Sequence, residues 1–371
     1  MSKVRNIYNP RFKVRLNDNQ LVNHFPNHYE LTRKDLLVKN IKRFKGEMEI
    51  VTLHSGEKLE LNQEIIPTTF ILPLEYSLFL EEFTKSQHKK WILKPAGRSQ
   101  GKGISLVTKY SMAKNIPTVI NNFKAQVGSY KEIFIISKYL NSPMLISGKK
   151  FDLRLYVLVT NYNPLKVYRY REGFCRLCFE DYISVTGKGN PNDELFSHLT
   201  NVSFQKTSEK YNDIHGGKLP YTSFLQYFEL NYGREKMKKL IKDIDRVYLT
   251  TLKAAQPVIV NDKHAFEMYG FDILIDENFT PWLIEVNASP SLSTTTKNDK
   301  LLKKNLINDL INLLMPSYWT VGKRQKGSSS CKEDKVGNWD LLYDESKDPL
   351  STASGKYKKR VKRASSNYVY R

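Results

Sequence analysis

The chain has 371 residues, of which 40% are hydrophobic and 12% aromatic, and this composition excludes a chain that is disordered throughout. Lysine and arginine number 59 against 38 acidic residues, so the formal net charge is +21. A charge of this size predicts an acidic partner, such as nucleic acid, an anionic membrane or an acidic protein tail. No run approaches the ~18 apolar residues of a membrane span, and the basic first residues lack the apolar core of a secretory signal. We therefore expect a soluble intracellular protein.

Three cysteines, Cys175, Cys178 and Cys331, form no regular framework, which indicates a reducing compartment. The first two have C-x-x-C spacing but lie in REGFCRLCFE, an alternating pattern typical of a strand. Because no second pair and no suitable histidine lies nearby, we interpret them as strand cysteines rather than as a metal or redox site.

The first part of the chain, residues 1–90, is mixed and basic. Within it, NHYELTRKDLLVKNIKRFK predicts a helix whose apolar face includes Leu31, Leu37 and Ile41. Prolines punctuate IIPTTFILP, between Ile65 and Leu74, and predict a connection between lobes. We assign residues 1–90 to a smaller N-terminal lobe and this connection.

Residues 91–318 carry short β-branched and aromatic runs that predict five strands: WILK, GISLV, EIFIISKYL, LRLYVLVT and LKVYRYREGFCRL. Helices are predicted at about Gly233 to Ala255 and Asn298 to Leu314, and between them AFEMYGFDILID and TPWLIEV predict two more strands. This mixture predicts an α/β or α+β fold. Residues 319–371 predict a largely disordered basic tail, in which one apolar patch, NWDLLY, docks back.

The segment WILKPAGRSQGKGISLV has the features of a phosphate-binding loop. A strand delivers Lys94, and a loop with Gly97, Gly101 and Gly103 follows. Glycines let backbone amides approach phosphate oxygens, and Lys94 and Lys102 supply positive charge. No helix opening with Lys-Ser or Lys-Thr follows, so this is not the Walker pattern, and a basic hairpin loop is the alternative.

A pair of acidic strands occurs in YGFDILIDENFTPWLIEVNASPSL. Antiparallel pairing about a turn near Asn278 brings Asp272 close to Glu285, and the strand period of two puts Glu285 and Asn287 on one face. Two carboxylates and an amide oxygen are hard ligands that suit Mg²⁺. The acids lie within apolar runs, where a bound cation would remove the cost of an unpaired charge. Surface-facing acids on a half-exposed sheet are the alternative.

Two further polar groups lie between these motifs. Lys150, Asp152 and Arg154 alternate in GKKFDLRLYVLVT and share one strand face, as charged residues on any half-exposed strand do. A polar cluster without clear periodicity follows in FSHLTNVSFQKTS: His198, Thr200, Asn201 and Lys206. The order of a phosphate loop, a basic strand and a paired acidic motif predicts an enzyme that binds ATP with Mg²⁺ between two lobes.

With these residues in view, the chain resembles the tubulin tyrosine ligase-like family, whose fold is ATP-grasp. The matching motifs run in order through most of residues 20–315: WILKPAGRSQGKGI, SKYLNSPMLISGKKFDLRLYVLV, YREGFCR, SHLTNVSFQK and YGFDILIDENFTPWLIEVNASPSL. The segments NHYELTRKDLLVKN and NWDLLY are similar to those of the family's short glutamylase members, which lack a long microtubule-binding extension.

The resemblance implies a nucleotide site. It assigns phosphate contact and the covering loop to Lys94, Gln100, Gly101, Lys102 and Gly103. It assigns the adenine hinge, mainly through backbone groups, to Ser137, Lys138, Tyr139 and Leu140. It assigns phosphate and ribose binding, and completion of the site, to Lys150, Asp152, Thr200 and Asn201.

The resemblance also implies the groups around the reacting atoms. Arg154 and Arg176 bind the reacting phosphate and the carboxylate substrate, and His198 lies beside them. Lys206 holds the incoming amino acid. The Mg²⁺ ligands are Asp272, Glu285 and Asn287, and Glu285 counts with the two arginines as catalytic.

The activity implied is tubulin polyglutamylation, in which ATP converts a tail carboxylate to an acyl phosphate that free L-glutamate attacks. The implied partners are acidic tubulin tails and accessory subunits, with no nucleic acid and no membrane. The implied location is the cytoplasmic cytoskeleton, at a ciliary or flagellar axoneme or basal body. Ser137 stands where the family commonly has glutamine, and the N-terminal lobe looks shorter than usual, as an incomplete gene model would. A glycylase, a tyrosine ligase and an inactive microtubule-binding scaffold are the alternatives, and a nucleic-acid binder lacks a motif to accompany the charge.

Overall fold

The structure is a computed structural model that describes residues 6–9, 11, 14–18, 20–55, 63–86, 89–98, 101, 103–128, 132–184, 197–200, 205, 217–294, 296–315 and 334–347. The predicted N-terminal helix is divided in two by Arg33, whose backbone is extended (φ −86°, ψ 128°). Helix α1 spans Tyr29–Thr32 and helix α2 spans Lys34–Ser55. The predicted apolar face of these helices is buried in the largest hydrophobic core.

A small antiparallel sheet follows, with strand order β1-β4-β2-β3 among the described residues. Its strands are β1 (Thr69–Leu72), β2 (Trp91–Pro95), β3 (Ser105–Val107) and β4 (Phe134–Lys138). Two helices that the sequence reading missed pack on it through a separate apolar core: α3 (Tyr76–Lys85) and α4 (Tyr110–Val127).

Strand β1 corrects the interpretation of IIPTTFILP as only a connection. Thr69 to Leu72 pair with Ser137 to Phe134, and the two end residues of β1 are buried. The strand lies at the sheet edge, where neighbouring prolines are tolerated. The small sheet therefore contains residues from both sides of the boundary predicted at residue 91.

The large sheet has strand order β10-β9-β6-β7-β12-β11 in the described chain, with β5 on β6 and β8 on β7. Its strands are β5 (Leu145–Ile146), β6 (Lys149–Tyr162), β7 (Leu165–Leu177), β8 (Lys218–Pro220), β9 (Glu267–Ile275), β10 (Pro281–Asn287), β11 (Lys335–Val336) and β12 (Trp339–Asp344). Helices α2, α5 (Tyr221–Tyr232) and α6 (Arg234–Ala255) cover one face, and α7 (Lys297–Leu314) covers the other. The mixed fold and the two later helices confirm the sequence prediction.

Alternation along β6 decides which side chains reach the functional site. Leu153 and Leu155 enter the core beneath α5 and α6, whereas Tyr156 enters the core beneath α7. Asp152 and Arg154 precede Tyr156 on the same face. The charged residues of β6 therefore lie on the α7 side of the sheet, beyond the apolar contacts that α7 makes.

Two other predictions concern cysteines and the tail. Cys175 lies in β7 as predicted, whereas Cys178 directly follows that strand; both are free and buried, and burial raises the pKa of the Cys178 thiol to about 12. Cys331 lies outside the described residues. The patch NWDLLY docks back as expected, as strand β12 paired with β7. Residues 316–333 and 348–371 of the tail region are outside the described part. Within the described helices, none combines the length and apolarity needed to cross a bilayer.

The docked strand predicts a stability effect. Trp339 is fully buried, and its ring lies 4.8 Å from that of Tyr170 between the sheet and α7. Trp339→Ala will lower the free energy of unfolding by about 3–5 kcal/mol, because it leaves a cavity. Urea unfolding followed by circular dichroism measures this, with the exposed Lys335→Ala as the matched control. Equal stability of the two variants would show that β12 is not docked in solution.

Candidate active site

Neighbouring strands of the large sheet carry charged residues at matching positions. Arg154 of β6 lies opposite Asp272 of β9, and Asp152 of β6 lies opposite Arg176 of β7. Asp272 also lies opposite Glu285 of β10, which confirms the predicted register. Directly opposed residues of antiparallel strands project to the same face. The four strands β7, β6, β9 and β10 therefore present one continuous row of charges.

Two arginines and two aspartates form a closed network within this row. Arg154 Nε and Nη2 donate to the two oxygens of Asp272 at 2.5 and 3.0 Å. Arg176 Nη2 contacts Asp272 Oδ2 at 2.7 Å, and Arg176 Nε and Nη2 each donate to Asp152 at 2.6 Å. Thr200 donates its hydroxyl to Asp152 Oδ2 at 2.6 Å. Bidentate guanidinium–carboxylate contacts of this kind neutralise each partner and also fix its orientation.

This network explains how the charge of the buried Asp272 is compensated. Burial by itself raises the pKa of Asp272, but attraction to Arg154 and Arg176 outweighs it and holds that pKa well below its ordinary value. Asp272 is therefore ionised and is neutralised by protein cations. A bound metal is therefore not needed to compensate the buried charge of Asp272, because the two arginines already remove the cost of that charge.

Lys34, at the start of α2, is a site residue that sequence reasoning missed. Its ammonium contacts Glu285 Oε2 at 2.9 Å and donates to the carbonyl of Arg98 at 3.0 Å. It also approaches Lys94: burial, followed by repulsion from Lys34, lowers the pKa of Lys94 to about 8. In the sequence, Lys34 lies in LTRKDLL on a predicted helix, and nothing there distinguishes it from an ordinary solvated lysine. The two lysines form a cationic wall that an incoming anion would stabilise.

A cavity of about 160 Å³ between the two sheets joins these groups. The predicted residues that line it are Lys94, Gly101, Ser137, Lys138, Tyr139, Leu140, Lys150, Asp152, Arg176, His198, Thr200, Asp272 and Glu285. Arg154 and Asn287 lie beside it through their bonds to Asp272. Gln100, Lys102, Asn201 and Lys206 lie outside the described residues.

The predicted hinge forms one wall of this cavity. The backbone N–H of Lys138 donates to Thr68 and that of Tyr139 donates to Lys90, both at 2.8 Å. Ser137 accepts a hydroxyl hydrogen bond from Thr69 at 2.9 Å. These bonds tie the hinge segment to β1 and to the residues that precede β1 and β2.

Lys150, Tyr139 and His198 form a second buried chain. Lys150 Nζ donates to the Tyr139 hydroxyl at 2.9 Å, and that hydroxyl lies 3.0 Å from His198 Nδ1. His198 Nε2 is buried and has no hydrogen-bond partner among the described residues. Burial, followed by repulsion from Lys150, lowers the pKa of His198 to about 4, so the imidazole is neutral at pH 7.

The glycine loop is held at both ends. The backbone N–H of Gly97 and the side chain of Arg98 bond to Glu132 at 3.1 and 3.2 Å. Gly103 has φ +74°, and a Cβ there would lie 2.5 Å from the Phe123 ring. Gly101 also has φ +74° and lines the cavity. The backbone therefore approaches the cavity in a conformation that other residues rarely adopt.

The groups predicted for Mg²⁺ have a suitable donor set. Asp272 and Glu285 offer carboxylate oxygens, and Asn287 Nδ2 lies 3.4 Å from Asp272 Oδ2. An amide can present either end, so rotation of the Asn287 amide would turn its oxygen toward Asp272. Oxygen ligands of this kind fit Mg²⁺. A cation here would replace Lys34 on Glu285, since the ammonium now occupies that carboxylate.

A second group of metal-ligand residues lies outside this row. His24 Nδ1 contacts Glu267 Oε1 at 2.8 Å, and His28 lies within reach of both. The two imidazole rings stack at 4.7 Å with 29° between their planes. His24 Nε2 also contacts Ser289 Oγ at 3.2 Å. The contacts of His24 connect the N-terminal segment to β9 and to the loop after Asn287.

The neutral His198 predicts a pH effect. Its folded pKa lies below the unfolded value, so the unfolded chain binds this proton first as pH falls, and stability decreases between about pH 6.5 and pH 4. NMR titration will show a His198 imidazole that stays neutral from pH 8 to about pH 5. The His198→Asn variant identifies the resonance and will flatten the stability profile in that window. A His198 midpoint near the ordinary value would contradict the buried chain.

Comparison with known proteins agrees with the motifs. The model of the tubulin-tyrosine ligase family matches residues 12–326. The probable alpha-tubulin polyglutamylase Ttll1 of Tetrahymena thermophila is 49% identical over 349 residues, which cover 93% of this chain and 84% of that relative. The probable tubulin polyglutamylase TTLL9 of Bos taurus is 37% identical over 361 residues, covering 90% and 74%. The tubulin polyglutamylase TTLL5 of Homo sapiens is 36% identical over 313 residues, covering 81% of this chain but 22% of that protein. Since the family match spans most of the sequence, this chain belongs to the tubulin-tyrosine ligase family.

Proposed function

We propose that the protein is an ATP-dependent ligase that adds glutamate to side-chain carboxylates of tubulin tails. The observation that carries the proposal is the row of charges from Arg176 to Glu285 beside a cavity walled by Lys34 and Lys94. Such a row suits reactants that are all anionic. The three relatives compared above are named as tubulin polyglutamylases or probable ones, which supports the choice of tubulin and glutamate. The tubulin-modifying relatives support a cytoskeletal association, and a location at a cilium or flagellum is part of the proposal.

The reaction proposed has two steps. An oxygen of the acceptor carboxylate attacks the γ-phosphorus of ATP, so an acyl phosphate forms and ADP leaves. The amino group of free glutamate then attacks the acyl carbon, phosphate leaves, and an isopeptide bond forms with loss of a proton. Little covalent chemistry is asked of the protein, which must orient three anions and offset their repulsion.

The charged side chains of the cavity fit those tasks. Lys150 is buried and Lys94 is half-buried, both line the cavity, and desolvation lowers the pKa of each, so phosphate oxygens would stabilise their charged forms. Arg154 and Arg176 are held in fixed orientation by Asp152 and Asp272, and so can bind the transferring phosphate and the acceptor carboxylate without reorganisation. Mg²⁺ bound at Asp272, Glu285 and Asn287 would supply charge neutralisation on the phosphates.

The test of the function is mass spectrometry of tubulin tails after incubation with ATP, Mg²⁺ and one labelled amino acid. Both the purified full-length chain and the complex isolated with it from cells are assayed, since accessory subunits are part of the proposal. Glutamate incorporation that requires ATP is the expected result. Incorporation of only glycine or tyrosine would contradict the amino acid, and incorporation of none would contradict the ligase.

Glu285→Gln will abolish ligation, with a loss of about 10²-fold or more, because the change removes a charge at the nucleotide while keeping the side-chain shape. The fold will remain, since the Glu285 side chain is 25% exposed and the amide can still accept from Lys34. Steady-state kinetics and a thermal melt measure the two effects. Glu277→Gln, an exposed acid in the turn of the same hairpin, is the matched control. Full turnover in Glu285→Gln would remove this residue from the site.

Arg176→Ala will lower kcat by about 10²-fold and leave the affinity for ATP nearly unchanged. The reason is that Arg176 lies on β7 beside Asp152, in the row proposed to bind the reacting groups, and not at the adenine hinge. Comparing kcat with ATP binding by calorimetry separates these effects. The exposed Arg171→Ala on the same strand controls for loss of a β7 arginine. A large loss of ATP affinity with little loss of kcat would move Arg176 to the nucleotide site.

A further inference from the structure

Residues 288–290 leave the large sheet directly after Asn287, one of the residues proposed to bind Mg²⁺. Strand β10 ends at Asn287, which pairs with Gly270 of β9. Beyond that pair, strand pairing no longer fixes the path of the chain. Among the described residues, 288–290 have one hydrogen bond to another segment, between Ser289 Oγ and His24 Nε2 at 3.2 Å. We call residues 288–290 the exit loop of β10.

The imidazole of His24 is held firmly on its other side. Its Nδ1 lies 2.8 Å from Oε1 of Glu267, and the two side chains are 7% and 0% exposed. Oε2 of the same carboxylate accepts from the backbone N–H of Phe25 and from the Tyr269 hydroxyl, both at 3.1 Å. Because the carboxylate accepts the proton of Nδ1, Nε2 is left to accept the hydroxyl of Ser289. The buried partners therefore fix the direction in which the ring meets the serine.

The backbone that carries His24 is attached to the start of β9. The N–H of Val22 donates to the carbonyl of His264 at 2.7 Å, and the carbonyl of Val22 accepts from Phe266 at 3.0 Å. Phe25, the next residue after His24, is fully buried in the largest core. Since these contacts are made by backbone and core, His24 is the fixed side of the contact, and the exit loop is the side that is positioned by it.

The exit loop borders two groups of the charged row. Asn287 Nδ2 donates to the carbonyl of Gly270 at 3.2 Å and lies 3.4 Å from Asp272 Oδ2. A Cβ on Gly270 would lie 3.0 Å from Pro290 Cβ and 3.2 Å from Arg154 Cδ, so the loop, β9 and this arginine are closely packed. A shift of the exit loop would therefore move the Asn287 amide and loosen the packing against Arg154.

We propose that His24 and Ser289 are positioning residues, whose hydrogen bond holds the Asn287 amide in place at the proposed Mg²⁺ site. This inference rests on the proposed function, and it gives the segment before helix α1 a part in the reaction. Neither residue lines the cavity, so both act through Asn287 and not on the reactants. A metal ligand of fixed orientation binds its ion more tightly than one that must first be ordered.

The experiment measures the affinity of the full-length enzyme for Mn²⁺ in the presence of a non-hydrolysable ATP analogue. Mn²⁺ prefers the same oxygen ligands as Mg²⁺, and its binding is followed by electron paramagnetic resonance. Ser289→Ala removes the hydroxyl from an exposed residue, and Ser289→Thr restores a hydroxyl. Ser291→Ala is the matched control, because Ser291 is a neighbouring exposed serine whose Oγ accepts from the N–H of Ser293. The kcat for ligation and the melting temperature are measured for each enzyme.

Ser289→Ala will weaken Mn²⁺ binding about fivefold, the worth of one ordinary hydrogen bond, and will lower kcat with no change in melting temperature. Ser289→Thr and Ser291→Ala will match the wild type. Wild-type Mn²⁺ affinity in Ser289→Ala, or an equal loss in Ser291→Ala, would overturn the inference. A wild-type enzyme that ligates no glutamate would instead contradict the proposed function.

A second variant tests whether Ser289 acts through His24. His24→Asn keeps a donor near the position of Nδ1 for Glu267 but lacks the Nε2 that meets the serine. Adding Ser289→Ala to His24→Asn will weaken Mn²⁺ binding no further, because the partner is already absent. Additive losses in the double variant would show that the serine acts independently of His24 and would overturn the pairing. The serine variants decide the inference by themselves if His24→Asn lowers stability.

Discussion

Asp272 is held between two arginines, and the arrangement of the active site depends on that contact. Arg154 reaches it from the neighbouring strand β6, and Arg176 reaches it from β7, one strand further away. Removing one partner from a buried set of this kind costs about 3–5 kcal/mol, because a charge is left without compensation. Asp272 thus fixes both guanidinium groups in place, and through Arg176 it also fixes Asp152.

The compensated network explains how a strongly basic protein can hold a precise anion site. Cations that are already oriented lose little freedom when a phosphate or carboxylate arrives. Lys34 and Lys94 differ from the arginines, since they stand close to each other and neither is held in a bidentate pair; Glu285 contacts Lys34 and, with Asp152, offsets the burial of Lys94. They are the groups whose environment changes most when a nucleotide binds. The large sheet therefore carries the charges that stay fixed. Lys34 and Lys94, at the cavity between the sheets, are the charges whose environment changes when a nucleotide binds.

Sequence patterns predicted those parts of the site that depend on local spacing. The hairpin register that joins Asp272 and Glu285 follows from a short turn and strand alternation, and the face shared by Asp152 and Arg154 follows from alternation alone. The longer strands β6, β7, β9 and β10 of the large sheet and two of its helices were predicted for the same reason, whereas the short strands β5, β8 and β11 were not. The small-sheet strand Thr69–Leu72 was read as a connection, because prolines flank it and its partner strand is distant in the sequence.

Contacts between distant segments could not be predicted in this way. Nothing in LTRKDLL shows that Lys34 meets Glu285, and alternation does not show that Arg176 crosses to Asp272. The arginines that neutralise Asp272 come from two other strands, so strand alternation in the acidic hairpin could not predict them, and the Mg²⁺ ligands there stay a prediction.

The most direct test of the account is a crystal structure with an ATP analogue and Mg²⁺. The account predicts that the phosphates lie against Lys34, Lys94 and Lys150, that Lys34 leaves Glu285, and that the ion is bound by Asp272, Glu285 and Asn287. Phosphates bound elsewhere, with the Lys34–Glu285 contact intact and the three oxygen ligands directed apart, would contradict it.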